Sequence, residues 1–167
     1  MRRKAYFAGG CFWCIEPVFE AIPGVFGAVS GYSGGEEEAP CYADVKAQRT
    51  GHRETVCVEY DDAVVSFETL LDAYLGSVDP FDGCGQFIDR GHSYTLAVYY
   101  TGEEERRFVT AKLTELEQSA GKAVYISVEA FRSFYKAEEY HQDYYLKNPE
   151  AFQKELKESG RKRRAEG

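Results

Sequence analysis

The chain changes hydrophobic period several times, and each change marks an element. Lys4-Ala5-Tyr6-Phe7-Ala8 is a short apolar run that predicts a strand, and Gly9-Gly10 behind it supplies backbone permissive enough to turn sharply. Ile15, Val18, Phe19 and Ile22 then recur at helical spacing until Pro23-Gly24 ends them. Pro17 has no N–H to give, a defect that a helix tolerates only near its first turn. This helix is therefore expected to begin close to Trp13 and to leave Cys11 at its lip. Val25 to Tyr32 reads as a second strand and Ser33 to Thr50 as a long loop. Strict alternation follows, with Glu54, Val56, Val58 and Tyr60 on one face and Thr55, Cys57 and Glu59 on the other. Ser66 is placed to cap a helix whose Phe67, Leu70, Leu71, Tyr74, Leu75 and Val78 form one stripe. A second glycine-dotted loop, Asp79 to Ser93, leads to a strand from Tyr94 to Tyr100. A charged helix from about Glu103 to Ser119, a strand from Val124 to Ala130 and an aromatic, polar C-terminal region complete the chain.

Strand, helix, strand, strand, helix, strand is the βαββαβ order of a ferredoxin-like two-layer sandwich. The fold class is thus α+β, here with an extra helix, an extra strand and a C-terminal extension. At 167 residues and 44% hydrophobic content the chain supports one core and is too short for two. Residues 1–150 are expected to form a single catalytic domain. Residues 151–167 are expected to form a charged tail in which Arg161-Lys162-Arg163-Arg164 serves solubility. Thirteen tyrosines and eleven phenylalanines are a heavy aromatic load, so part of it is expected to line a pocket.

A formal charge of -8 argues against a nucleic-acid backbone as partner. Arg2, Arg3 and Lys4 resemble the start of an export signal, but only four residues separate them from Gly9-Gly10, and no apolar run is long enough to cross a bilayer. Five cysteines cannot all pair internally. A cytoplasmic monomer whose thiols do chemistry or packing, rather than stapling, is the expectation.

Gly10-Cys11-Phe12-Trp13-Cys14 sets two thiols and two large aromatics at a strand-to-helix junction, which suggests redox chemistry on an apolar group. Unpaired N–H groups at a helix start favour thiolate, so Cys11 is the candidate nucleophile. Glu54 starts a strand on the core-facing row, where desolvation would let it keep a proton; the plainer alternative is an exposed strand-end carboxylate beside Arg53. His52, His92 and His141 stand apart, without a second C-x-x-C for zinc, and read as turn or ordering residues. Cys57 reads as a small buried packing group and Cys41 as unremarkable, whereas Cys84 sits in a glycine loop before Asp89 and is a candidate to relay outward any disulfide formed at Cys11 and Cys14.

Gly-Cys-Phe-Trp at 10–13, Gly31-Tyr32-Ser33-Gly34-Gly35, Tyr42, Thr50-Gly51-His52-Arg53-Glu54, Gly85-Gln86-Phe87-Ile88-Asp89-Arg90-Gly91 and Glu139-Tyr140-His141-Gln142-Asp143-Tyr144 together resemble the A-type peptide methionine sulfoxide reductases, from about Tyr6 to Pro149. The resemblance implies that Cys11 attacks the sulfoxide sulfur and that Glu54 is the acid. It also implies that Tyr42 and Tyr94 hold the oxygen with support from Asp89, and that Phe12 and Trp13 cradle the S-methyl group. Specificity for the S epimer, substrates that are free or protein-bound, and a thioredoxin-like reductant with no resident cofactor or metal are implied as well. A sulfoxide oxygen is negatively polarised, so attack on its sulfur needs hydrogen-bond donors and a proton on that side. Attack leaves a sulfenic acid that a second thiol condenses with, and Cys14, in a C-x-x-C at a helix start, is the nearest candidate. Family members often carry glycine there and place recycling cysteines near the C-terminus, but this chain has no cysteine beyond Cys84.

Departures from the family pattern are Ala39-Pro40-Cys41-Tyr42 for Asn-Pro-Thr-Tyr, His92-Ser93-Tyr94-Thr95 for a small residue then Gln, Tyr and Arg, and Arg53 where alanine is common. A general thiol-disulfide oxidoreductase is the competing reading, since C-x-x-C near βαβ is also the thioredoxin signature. It leaves Glu54, Tyr42 and Tyr94 without a task, and the strand order differs. A zinc- or peptide-binding module built on the thiols and aromatics is a third.

Overall fold

Four segments rich in alternating apolar residues pair into the centre of one twisted sheet, and every neighbouring element is placed by what that sheet must cover. The computed structural model describes residues 1–159. In chain order the elements are β1 (Arg2–Gly9), α1 (Phe12–Glu20), β2 (Val25–Ser33), α2 (Tyr42–Lys46), β3 (Arg53–Asp61), α3 (Phe67–Ser77), the short hairpin β4 (Gly85–Gln86) and β5 (Asp89–Arg90), β6 (Leu96–Tyr100), α4 (Glu103–Ala120), β7 (Ile126–Ala130), β8 (Phe134–Lys136), α5 (Tyr144–Lys147) and α6 (Pro149–Ser159). The six-stranded sheet runs β7-β6-β1-β3-β2-β8. Its inner order, β6-β1-β3-β2, is antiparallel throughout and is the expected ferredoxin-like arrangement, to which β7 adds parallel to β6 and β8 antiparallel to β2.

Alternation decides which face each residue serves. Phe7, Val56, Val58, Tyr60, Leu96 and Val98 join Ile15 and Phe19 of α1 and Leu70, Leu71 and Tyr74 of α3 in the main core. The Phe7 ring lies 5.0 Å from that of Phe19 and 5.1 Å from that of Tyr74. On the other face Tyr6, Ala8, Cys57, Ala97 and Tyr99 make a second cluster, covered by Phe131 and Phe134. Cys57 is the packing residue expected, and burial pushes its thiol up to about 11. Ser66 caps α3 as its position predicts, its hydroxyl accepting the Thr69 N–H at 3.1 Å.

Differences from the sequence reading lie in the connections. Residues 33–50, expected as loop, contain the five-residue helix α2, too short to show a period. Residues 79–93 contain the β4–β5 hairpin, and Tyr94, expected to open a strand, sits in the 3-10 turn His92–Tyr94 before β6. α1 begins at Phe12, one residue before the expected start, so Pro17 falls in its second turn. β7 begins at Ile126 rather than Val124.

The C-terminal region is helical through α6, and Phe152 is buried against Cys11 and Cys14, so the expected division at residue 150 falls inside this helix. The basic run 161–164 lies outside the described residues. Three side chains dock this region on α1 and β2. Gln142 accepts the Ser30 N–H at 2.9 Å and donates to the carbonyls of Ser30 and Ala137 at 2.8 and 3.0 Å. Glu16 accepts the Asp143 N–H at 2.9 Å and the Ser30 hydroxyl at 2.7 Å, and Tyr145 donates to Glu20 at 2.8 Å.

Burial is the main reason that Glu16 is pushed from 4.5 to about 9, with Asp143 and Glu20 adding to it and the Ser30 hydroxyl opposing it. The folded state therefore holds a proton that the unfolded chain has released. Stability from this group is full below about pH 4.5 and declines as pH rises towards 9. Glu16→Gln keeps the shape without the titration. Its urea midpoint relative to wild type is expected to climb steadily between those limits, and a constant difference across that range would contradict the assignment.

Candidate active site

The site is built where β1 leaves the sheet. Gly10 has φ +86°, and a Cβ on Gly9 would lie 2.9 Å from two carbons of Ile15, so this turn is confined to glycine on both counts. Cys11 follows as the N-cap of α1, and its carbonyl accepts the Cys14 N–H at 3.1 Å. Both thiols are nearly enclosed, packed with Phe152 and flanked by Trp13, Tyr144 and Tyr145.

Glu54 is 1% exposed, on the core-facing row that alternation assigned to it. Its Oε1 accepts the Phe12 N–H at 3.1 Å, which places the carboxyl against the first turn of α1, one residue past Cys11. Tyr94 is also buried. Burial first, then the nearby Glu54, Tyr42, Asp89 and Cys11, keep its phenol protonated far above the ordinary tyrosine range. Four residues singled out in the sequence thus lie near a fifth, the Tyr94 phenol. Tyr94 in this setting is a lasting hydrogen-bond donor.

Tyr42 opens α2, and its ring lies 6.4 Å from Phe12 and 6.2 Å from Trp13. Its backbone N–H donates to Glu138 Oε2 at 3.0 Å, while the Tyr32 hydroxyl donates to Oε1 at 2.8 Å. Burial works against the Glu138 charge, but these hydrogen bonds outweigh it and hold the carboxyl below its usual range. Asp89 is half-buried on β5, in a hairpin held by Gln86. The buried Gln86 amide accepts the Asp79 N–H at 2.7 Å and donates to the Asp79 and Gly85 carbonyls at 2.8 and 2.9 Å.

Phe12 and Trp13 form two walls of an aromatic box whose other members sequence reasoning passed over. Tyr144 stacks on Trp13 at 4.0 Å, and the Trp13 indole N–H donates to His141 Nδ1 at 2.9 Å. His141 is fully buried, its ring 4.2 Å from Tyr42 and 5.1 Å from Phe12. Burial drives its pKa from 6.5 down to about 4, so at neutral pH it is an uncharged acceptor for the indole. Glu138, Tyr144 and Phe152 gave no periodic signal. His141 and Tyr144 did stand in the Glu139–Tyr144 motif, which was the signal available.

Cys84 and Cys41 are exposed, the latter donating its thiol to Asp44 at 3.3 Å. His52 is a buried turn residue, accepting the Gly35 N–H at 3.2 Å, and His92 contacts the Gly51 carbonyl at 2.9 Å. Among the described residues one group has donor spacing for a cation, the carboxylates of Glu16, Glu20 and Asp143, within 4.8 Å of one another. They are the groups that dock the C-terminal region on α1. A cleft of about 440 Å³ between the starts of α3 and α4, lined by Arg3, Tyr60, Glu68 and Glu103 among others, contains none of the site residues. No helix among the described residues is long and apolar enough to cross a membrane.

A model of the family described as peptide methionine sulfoxide reductase matches residues 3–166. Peptide methionine sulfoxide reductase MsrA 2 of Staphylococcus aureus (strain Mu50) is 42% identical over 163 residues, covering 96% of this chain and 92% of that protein. MsrA of Halalkalibacterium halodurans is 43% identical over 160 residues, covering 95% and 91%. Among solved structures, reduced Mxr1 from Saccharomyces cerevisiae superposes with a TM-score of 0.83 at 26% identity, over 89% of this chain and 86% of that one. Full-length matches to the family model and to the MsrA proteins, on a fold that gathers Cys11, Glu54, Tyr42, Asp89 and Tyr94, show that this chain belongs to the peptide methionine sulfoxide reductase family.

Proposed function

We propose that the chain reduces the S epimer of methionine sulfoxide, free or protein-bound, by attack of the Cys11 thiolate on the sulfoxide sulfur. Reduction of methionine sulfoxide is the activity of its family. The observation that carries the assignment of roles is the convergence of Cys11, Glu54, Tyr42 and Asp89 on the buried Tyr94 phenol. Tyr94 and Tyr42 donate to the sulfoxide oxygen, Glu54 supplies the proton that this oxygen needs as the S–O bond breaks, and Asp89 supports them. Phe12 and Trp13 receive the S-methyl group, which suits an apolar box better than any charged side chain would.

The sulfur–sulfur bond made by attack then breaks with its electron pair passing to methionine, as the protonated oxygen shifts from the substrate sulfur to the Cys11 sulfur and leaves it as sulfenic acid. Cys14 then attacks the sulfenic sulfur, its thiol proton and the hydroxyl depart as water, and a Cys11–Cys14 disulfide remains. An external dithiol of the thioredoxin class reopens the disulfide by exchange. Mxr1, whose fold this chain shares, has been solved in complex with Trx2, which supports a partner of that class. The enclosed setting of both thiols favours resolution within the pair before any outside thiol arrives. The partners read are oxidised proteins or peptides and this reductant, with a cytoplasmic monomer as the form and no resident cofactor.

Single-turnover reduction of a methionine sulfoxide peptide by pre-reduced protein, followed by disulfide mapping, tests the scheme. Cys11→Ser is expected to form no methionine, and Cys14→Ser one equivalent with the sulfenic acid unresolved. Full product from Cys11→Ser would end the assignment; a wild-type disulfide yield from Cys14→Ser would move the resolving role elsewhere, with Cys84 the next thiol to examine. Glu54→Gln is expected to slow the first step by about 10²–10⁴-fold, roughly 3–5 kcal/mol of barrier, with substrate affinity little changed.

Trp13 is the only tryptophan, so its indole resonance reports on the S-methyl wall alone. Because His141 sits at about 4, that resonance should stay constant through pH 6.5, where an ordinary histidine titrates, and move as pH falls through 4 and the acceptor is lost. In His141→Phe it should start displaced and not titrate. A wild-type midpoint near 6.5 would show that the imidazole is not buried against the indole.

A further inference from the structure

We propose that Arg53 is a positioning residue that sets the separation of Glu54 and Tyr94 from the opposite face of the sheet. The inference rests on the reading of Glu54 and Tyr94 as the donors to the sulfoxide oxygen.

The need for such a residue comes from the sheet itself. β1 lies between β3 and β6, so Glu54 on β3 and Tyr94 before β6 belong to strands that do not hydrogen-bond to each other. β1 holds them at a fixed distance only as far as Gly9, which pairs with Leu96. The β1–β3 pairing runs to Phe7 and Val56, and continuing that register by two residues sets Gly9 level with Glu54. At Gly10 the chain turns away into α1. Beyond that point no strand among the described residues lies between the ends of β3 and β6, and it is there that Glu54 and Tyr94 stand.

Arg53 bridges this gap. Its Nε donates to Thr95 Oγ1 at 2.8 Å, and its Nη1 donates to the Tyr99 hydroxyl at 3.1 Å and to Glu129 Oε2 at 2.7 Å. The partners are themselves held: Thr95 donates to the His92 carbonyl at 2.6 Å, Tyr99 to the Ser33 carbonyl at 3.3 Å, and Ser127 to the same Glu129 oxygen at 2.7 Å. One guanidinium thus ties β3 to the 3-10 turn, to β6 and to β7. Its side chain is 11% exposed, and the two charges agree, with Arg53 raised and Glu129 lowered despite the burial that opposes both.

The sequence neighbours give this brace its bearing on the chemistry. Arg53 immediately precedes Glu54, and Thr95 immediately follows Tyr94. Tyr99 lies in the cluster on the face away from the main core, while Glu54 reaches across to the Phe12 N–H beside Cys11. Pulling Arg53 and Thr95 together on one face therefore fixes their neighbours on the other. A rigid hold of this kind has a known scale, since misplacing a catalytic group by about 1 Å can cost on the order of 10²-fold in rate.

The experiment measures single-turnover rate against substrate concentration, together with melting temperature, for Arg53→Ala, Arg53→Lys, Thr95→Val, Glu54→Gln and the double variant Arg53→Ala/Glu54→Gln. Arg53→Ala is expected to lower the limiting rate by roughly 10–10²-fold with half-saturation little changed. Arg53→Lys keeps a charge for Glu129 but cannot fork to Thr95 and Tyr99, so it should recover melting temperature and not rate. Thr95→Val removes one arm, should give a smaller loss in the same step, and stands in if Arg53→Ala does not fold. The double variant should lose clearly less than the product of the two single losses, because Arg53 acts in part through the acid. Multiplicative losses, full recovery of rate by lysine, or wild-type rates in both folded Arg53→Ala and Thr95→Val would overturn the brace. Wild-type rate in Glu54→Gln would instead overturn the acid assignment on which it rests.

Discussion

One backbone amide, the N–H of Phe12, organises the site, because it gives the Glu54 carboxyl a fixed partner at the place where Cys11 leaves the sheet. A helix start has N–H groups to spare, and a strand edge has side chains that point at them; joining the two within 3.1 Å costs the fold only a glycine pair. Cys11 is then the residue between the end of the sheet where Glu54 stands and a helix that opens with Phe12 and Trp13. Thiol, carboxyl and aromatic box, although they come from α1, β3, α2 and the C-terminal region, thus meet at one turn of chain.

The sheet carries the consequence further, since its two faces do different work at this end. On the core face Glu54 and Tyr94 look at the thiol, and on the other face Arg53, Thr95, Tyr99 and Glu129 make a polar brace over the smaller aromatic cluster. The C-terminal region closes the third side. Gln142 and Glu16 dock it on β2 and α1, and it brings His141 to the Trp13 indole and Phe152 to the two thiols. Residues far apart in sequence are thus held to one helix turn mostly by hydrogen bonds to backbone, where geometry is least free to drift.

Much of this was legible from periodicity. Alternation placed Glu54 with Val56, Val58 and Tyr60 and set Cys57 opposite, and Pro17 confined the helix start to within a residue of where it lies. The strand order followed from the element order, because a βαββαβ chain has few ways to close. What periodicity missed are elements shorter than one period and residues that act across the fold. α2 has five residues and β4 and β5 two each, so neither the Tyr42 helix nor the Asp89 hairpin could show a repeat. His141 looked like an ordering residue because its partner, Trp13, is 128 positions away. The family motifs named these segments without saying what they touch.

The charge states of the shell explain why the site suits a sulfoxide better than a disulfide-bonded protein, the task of a general thiol exchanger. Tyr94 and Tyr32 stay protonated, His141 stays neutral, and the Glu138 carboxylate, held ionised, is consumed by the Tyr32 hydroxyl and the Tyr42 amide. Cys11 is therefore packed among aromatic side chains, with the Tyr94 phenol and the Glu54 carboxyl nearby. A thiol exchanger has no use for hydroxyl donors beside its nucleophile, since sulfur is a weak acceptor and its leaving thiolate departs towards solvent. A sulfoxide is the reverse case: no net charge, a compact methyl group, and one strongly accepting oxygen that must gain a proton before its bond to sulfur can break. Burying Tyr94 and Glu54 is costly, and in the proposed scheme a substrate that presents an oxygen between them offsets that cost.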